Sequence, residues 1–257
     1  MEVRDVDRWL ARRLFDDDGR AMKPIEELDY RETSLGELVL RRRRSPSVPD
    51  EPVYEVKLDD ELLMSSTVNA SERALACLAI ERRSDEPCDV LVGGLGLGYT
   101  AAAALEFTCV RRLVVVEFLA PVIAWHLNRL VPMASALLDD PRCTLIEGDF
   151  FKHVAPGAPA ESSGCYDAIL LDIDHSPDSW LQLQHGGFYT ATGLRGLSEH
   201  LWPGGVFGIW SASEPSQRFL DLMRSALPDV RSHEVSFFNP HVGETDSNWV
   251  VVAGGTL

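Results

Sequence analysis

Six residues, Gly93-Gly94-Leu95-Gly96-Leu97-Gly98, join the apolar stretch Val90-Leu91-Val92 to an alanine-rich segment that begins at Tyr99. Glycine is needed where backbone turns tightly or passes close to a ligand, and a loop of this kind between strand and helix cradles nucleotide-type ligands. The next apolar run, Leu113 to Val116, ends in Glu117, 19 residues after Gly98. A carboxylate at that point can accept both hydroxyls of a ribose. Loop and acid together fit a dinucleotide-binding domain as well as any other adenosine binder. Two further acidic clusters follow. Glu147-Gly148-Asp149 closes one apolar run, where Asp149 can hold an adenine amino group. Asp172-Ile173-Asp174-His175-Ser176-Pro177 closes another, Ala168 to Leu171. Asp172 or Asp174 can orient or deprotonate an attacking group at a strand's C-terminal end. His175 is a second candidate base, because imidazole titrates near neutrality.

These residues need a scaffold, and the hydrophobic pattern supplies one. From Asp89 onward short apolar strands alternate with helical segments. Strands are expected at 90–92, 113–117, 143–146, 168–172 and 206–210, and helices at 99–107, 120–130, 192–201 and 216–227. Such alternation means a parallel sheet covered on both faces. Two final strands, 232–238 and 248–252, have no helix between them, so the last should run antiparallel. The fold class is therefore a doubly wound, mostly parallel seven-stranded α/β sheet.

Upstream, Val6, Leu10 and Leu14 mark a helical face within 4–15. A polar stretch follows, then strands at 35–40, 53–58 and 61–64, with a proline-rich turn over 45–52. The expected division is a small N-terminal β-rich unit, 1–68, and a ligand-binding α/β domain, 69–257. A helix from Asn69 or Ser71 to about Arg83 opens the second, with Asn69 and Glu72 at capping-pair spacing. Trp180, Phe188 and Tyr189 follow the Asp172 cluster and are the best pocket-lining candidates. Trp125 and His126 should pack.

Composition narrows the function classes. Forty acidic residues against 24 basic ones give a formal charge of −16. Such a field repels duplex nucleic acid and favours a cationic small molecule such as an amine. The one basic run, Arg41 to Arg44, reads as a solvated face or as local pairing with acids. The five cysteines are scattered, and neither they nor the histidines have ligand spacing, so no metal is expected. No stretch reaches the roughly 18–20 apolar residues of a membrane span, and Met1 to Asp5 lacks the basic start and apolar core of a signal peptide, so none is expected. A cytoplasmic location is the default.

Taken together, the glycine loop, Glu117, Glu147-Gly148-Asp149, Asp172 and the closing strand pair resemble the class I S-adenosylmethionine-dependent methyltransferase superfamily, with its Rossmann-like fold, over about 69–253. Within it, Val90 to Gly94, Asp140-Pro141-Arg142, Tyr166 to Asp172 and Phe188-Tyr189 resemble the spermidine synthase-like group. The resemblance implies S-adenosylmethionine or its decarboxylated form as cofactor. Gly93, Gly94, Gly96, Gly98, Glu117, Asp149 and Asp172 would hold it, with Asp172, Asp174 and His175 for catalysis. It also allows a homodimer.

The departures carry information too. Polyamine synthases place an aspartate where this chain has Gly96, and that aspartate pairs with the amine of the decarboxylated donor. Their Tyr-His/Gln-Glu motif aligns with Ala70-Ser71-Glu72, without the tyrosine. Methyl transfer to a small amine is the leading expectation, because Gly96 leaves room for the donor's intact amino-acid tail. Aminopropyl transfer is the alternative, and transfer of a 3-amino-3-carboxypropyl group is a third. A non-catalytic binder of the same cofactor and a nicotinamide-dependent oxidoreductase remain as different classes. The second leaves Asp149 and the terminal strand pair without a role.

Overall fold

The computed structural model describes residues 25–45, 48–83, 86–158, 165–239 and 243–254. The helix expected over 4–15 lies outside them. The chain divides into two compact units, Met1–Val68 with Phe238–Glu244, and Asn69–Phe237 with Thr245–Leu257.

The smaller unit is an antiparallel sheet, β1 (Ile25–Thr33), β2 (Gly36–Ser45), β3 (Val48–Leu58) and β4 (Glu61–Ser65), in that spatial order. β1 falls in the stretch whose sequence shows only polarity. Its residues are largely exposed, so no alternation marks it. β3 begins inside the expected proline-rich turn. The sheet tolerates Pro49 and Pro52 because the β2–β3 register breaks between Arg43 and Ser45 and β4 pairs only with Glu55 to Leu58. Leu38, Leu40, Val53 and Val56 are buried. The arginine run is paired locally. The Nε atoms of Arg41 and Arg43 each lie 2.6 Å from buried Glu55, and Arg42 lies 2.8 Å from Glu26. Burial alone would push the Glu55 carboxyl up, but the two guanidiniums outweigh it and hold it below the usual range.

The larger unit carries seven strands: β5 (Cys88–Gly93), β6 (Val110–Glu117), β7 (Cys143–Glu147), β8 (Tyr166–Leu171), β9 (Leu201–Ser211), β10 (Arg231–Asn239) and β11 (Glu244–Gly254). Their order is β10-β11-β9-β8-β5-β6-β7, with β11 antiparallel to β9 and the five strands from β9 to β7 parallel. Among the described residues seven α-helices accompany them: α1 (Ala70–Ile80), α2 (Tyr99–Leu105), α3 (Ala120–Leu127), α4 (Ala134–Leu138), α5 (Phe150–His153), α6 (Ala191–Ser198) and α7 (Gln217–Ala226). β5 is buried at every residue, as a strand covered on both faces must be. On one side Leu91, Ile169, Leu171 and Phe207 pack with Phe150, Leu194, Leu197, Phe219 and Met223. The expected doubly wound sheet and its antiparallel closing strand are both present.

The chain runs outward from β5 through β6 to β7, then returns to place β8 on the other side of β5. That reversal opens a crevice beyond the C-terminal ends of β5 and β8, where open α/β sheets take their ligands. No described helix is long and apolar enough to cross a membrane.

Candidate active site

The glycine loop leaves β5 at that crevice. Gly94, Gly96 and Gly98 have φ of +93°, +50° and +93°. Two of these have a packing reason within the protein. A Cβ on Gly94 would stand 2.1 Å from the carbonyl oxygen of Asp172, and one on Gly98 would stand 2.8 Å from the His126 ring. The glycines therefore let the loop press against β8 and α3 as it turns into α2. Ladder hydrogen bonds continue into the loop, from Gly94 N–H to Val116 O (2.9 Å) and from Asp172 N–H to Gly93 O (2.8 Å).

Glu117 ends β6 and reaches back to the same loop. Its two carboxylate oxygens accept from Leu95 N–H and Leu119 N–H, each at 2.8 Å. Burial raises its pKa, and the backbone N–H groups of Leu119, Leu95, Gly96 and Phe118 only partly offset this. Asp149, two residues past β7, caps α5. One oxygen accepts from Phe151 N–H (3.0 Å) and Lys152 N–H (3.3 Å), and the other lies 3.2 Å from the exposed Lys152 ammonium. Arg142 ties the start of β7 to the α2–β6 turn, donating to the carbonyls of Leu105, Phe107 and Val110 and pairing with Asp140.

Asp172 follows β8. Thr100 Oγ1, in the first turn of α2, stands 2.6 Å from its Oδ2 and 3.3 Å from the backbone oxygen of Glu72. Burial pushes the Asp172 carboxyl up to about 6, against the Thr100 hydrogen bond. Glu72, on the first turn of α1, is pushed up to about 7 by burial and then by the charge of Asp172. Two carboxyl groups that repel one another in a poorly hydrated place share a proton near neutral pH. Glu72 is held in turn. Its Oε2 lies 2.9 Å from Ser71 Oγ, which accepts from Trp210 Nε1 (2.9 Å) and Asn248 Nδ2 (3.0 Å). The Ser71 hydroxyl thus uses its donor and both lone pairs.

The Asn69–Glu72 capping pair does not form. Asn69 makes no side-chain cap, and Glu72 points to Ser71 instead. Glu72 is the functional candidate the sequence reading missed. Its one signal was its place in Ala70-Ser71-Glu72, and a carboxyl 100 residues upstream of Asp172 has no spacing that announces the pair.

Asp174 and His175 are placed differently from Asp172. Asp174 is buried, and its oxygens accept from Leu181 N–H (2.8 Å), His185 Nδ1 (2.8 Å) and Tyr189 OH (2.7 Å). That carboxylate organises its own loop. His175 sits in the same loop with its carbonyl accepting from Ala212 N–H at 2.8 Å. The expected pocket aromatics also divide. Phe188 and Tyr189 are buried in the core, whereas Trp180 stacks on Tyr189 with 5.7 Å between rings and stays 38% exposed. Trp125 and His126 are buried, as expected. Among the described residues no group of three or more metal-ligating side chains occurs.

Comparison with known proteins bears on this geometry. No family model matches the chain. Polyamine aminopropyltransferase 2 of Pseudomonas aeruginosa is 27% identical over 162 residues, 59% of this chain and 43% of that protein. Polyamine aminopropyltransferase of Sulfolobus acidocaldarius is 32% identical over 133 residues, 51% of this chain and 41% of that protein. Putrescine N-methyltransferase 1 of Nicotiana tabacum is 30% identical over 120 residues, 47% of this chain and 29% of that protein. The chain is a homologue of polyamine aminopropyltransferases and putrescine N-methyltransferases. These curated homologues match it over less than half of their own lengths. Its fold is that of spermidine synthase. A spermidine synthase in complex with the transition-state analogue AdoDATO superposes with a TM-score of 0.70 at 16% identity, over 90% of this chain and 74% of that one. The Thermotoga maritima spermidine synthase gives 0.67 at 15%, over 90% and 72%. The homologues are enzymes of two activities, which differ in the group they transfer.

Proposed function

We propose that this chain is a transferase that moves an alkyl group from S-adenosylmethionine, or its decarboxylated form, to a small amine. The observation that carries the reading is the half-buried pair of carboxyl groups, Glu72 and Asp172, beside the glycine loop at the topological switch point, both held above the ordinary carboxylate range. The residues suit such a donor: Glu117 for the ribose hydroxyls, Asp149 Oδ2 for the adenine edge, and the loop turning between β5 and α2. When bound, the donor supplies a sulfonium-activated carbon, so that a nitrogen–carbon bond forms as the carbon–sulfur bond breaks and its electron pair stays on sulfur. Asp172 and Glu72 attract the cationic amine and take its proton, which frees the lone pair for attack. Asp174, through Leu181, His185 and Tyr189, positions the loop that follows Asp172 and is a positioning residue in this account. His175 is kept as a loop residue without an assigned proton transfer.

Methyl transfer is the preferred reaction. Gly96 stands where an aspartate would repel the carboxylate of the intact donor, and putrescine N-methyltransferases are among the homologues. Aminopropyl transfer has its own support, since polyamine aminopropyltransferases are among the homologues too. Gly96→Asp separates the two. A φ of +50° is one that aspartate tolerates better than most side chains. The variant is expected to bind S-adenosylmethionine at least tenfold more weakly by calorimetry and to gain affinity for the decarboxylated donor. A wild-type preference for the decarboxylated donor would overturn the methyl-transfer assignment. Asp172→Asn is expected to lose 10²- to 10⁴-fold in kcat, the usual worth of a general base, with donor affinity within a few fold. Full activity in that variant would remove Asp172 from the mechanism.

A further inference from the structure

His126 is an imidazole that the reaction does not call on, yet it touches the cofactor loop twice. It is fully buried on α3, and its Nε2 lies 3.0 Å from the carbonyl oxygen of Gly96. A carbonyl only accepts, so Nε2 carries the proton. Nδ1 is buried with no hydrogen-bond partner among the described residues, so the ring is the neutral Nε2–H tautomer. Burial also lowers the His126 pKa, against the Gly96 hydrogen bond. The ring's Cε1 lies against Gly98, where a Cβ would come within 2.8 Å. On the other side of the same residue, Gly96 N–H faces the Glu117 carboxylate. Gly96 is thus gripped at both ends, its N–H by the end of β6 and its carbonyl by α3.

The consequence is electrostatic. A backbone carbonyl carries a partial negative charge. Released from His126, with glycine's freedom at φ +50°, it can turn and be presented to whatever the loop binds. A negative dipole aimed at a carboxylate repels it; a carbonyl retained by an N–H does not. We propose that His126 is a positioning residue that retracts the Gly96 carbonyl into the protein and thereby lets the loop accept a donor whose amino-acid tail keeps its carboxylate. This rests on the adenosyl-sulfur reading of the site, and it assigns to α3 a share of the donor selectivity that the missing acid at position 96 only begins.

The test compares two ligands that share the adenosine and sulfur and differ in the tail. S-adenosylhomocysteine carries the amino-acid tail and methylthioadenosine lacks it. Dissociation constants are measured by calorimetry for wild type, His126→Ala and His126→Gln, after each variant's fold is checked by circular dichroism. The expectation for His126→Ala is a loss of at least tenfold for S-adenosylhomocysteine and less than threefold for methylthioadenosine. His126→Gln places an N–H near the same point and is expected to recover most of the loss. Nitrogen-15 NMR of the wild-type imidazole, without ligand, should show the Nε2–H tautomer with a slowly exchanging proton. Equal weakening of both ligands in both variants would mean a merely structural histidine and would overturn the proposal. So would unchanged binding of both, or the Nδ1–H tautomer. A wild type that binds neither ligand would overturn the function reading and this inference with it, whereas variant results alone bear only on His126.

Discussion

Two carboxyl groups, Glu72 and Asp172, decide how the site should respond to pH. Both are raised by burial, to about 7 and about 6, with the charge of Asp172 adding to the shift of Glu72. The folded chain therefore holds protons that the unfolded chain has released above about pH 4. Unfolding releases protons across that window, so these groups' contribution to stability is full below about pH 4 and is lost as pH rises through about 7. Glu72→Gln removes one charge, and the Ser71 hydroxyl can still bond the amide oxygen. The variant is expected to melt a few degrees higher than wild type at pH 8 and at nearly the same temperature at pH 4, as scanning calorimetry would show. In activity the sign reverses, because the proton acceptor works only when ionised. The acid limb of kcat/KM is expected near pH 6–7 and belongs to the pair rather than to either residue. Asp172 ionises first, against an uncharged Glu72, so Glu72→Gln should leave a single step near pH 6 and remove the one near pH 7. A limb that kept both steps would show that Glu72 takes no part in it.

At the scale of elements, the loop after β5 and the loop after β8 depend on each other. Gly94 lies against the Asp172 backbone so closely that Gly94→Ala must move one of the two strand ends, at a φ that alanine also resists. Overpacking and left-handed strain together cost about 3 kcal/mol or more, which in a protein of this size lowers Tm by about 10 °C. A thermal melt checks this, and an unchanged Tm would mean that the loop is not seated as described. The central strands were legible in the sequence because burial on both faces leaves an unbroken apolar run, as in Val90-Leu91-Val92 and Leu113 to Val116. β1 was not, because a largely exposed strand shows no alternation to read. The loop from Ile173 to Tyr189 was legible only as a loop. Its organising contact brings Leu181, His185 and Tyr189 to Asp174 from within an aperiodic stretch, where no spacing announces it. Glu117 and Asp149 were legible as strand-end acids. Their bonds to Leu95, Leu119, Phe151 and Lys152 needed coordinates.

At the scale of the molecule, the seven-stranded order puts β5 and β8 side by side and so collects residues remote in sequence: Glu72 from α1, Gly94 to Gly98 after β5, Thr100 from α2 and Asp172 after β8. A formal charge of −16 over the whole chain is of the sign that favours the approach of the cationic amine proposed as substrate. The fold alone serves many chemistries, so the functional argument rests on the site and on homologues that match part of their length. The proposed function requires the glycine loop with Glu117 to take an adenosyl-sulfur ligand and not a dinucleotide. Calorimetric titration of the purified chain with S-adenosylmethionine, its decarboxylated form, S-adenosylhomocysteine and NAD tests it most directly. The account predicts saturable one-to-one binding of at least one of the first three and none of NAD; tight NAD binding with no adenosyl-sulfur ligand bound would contradict it.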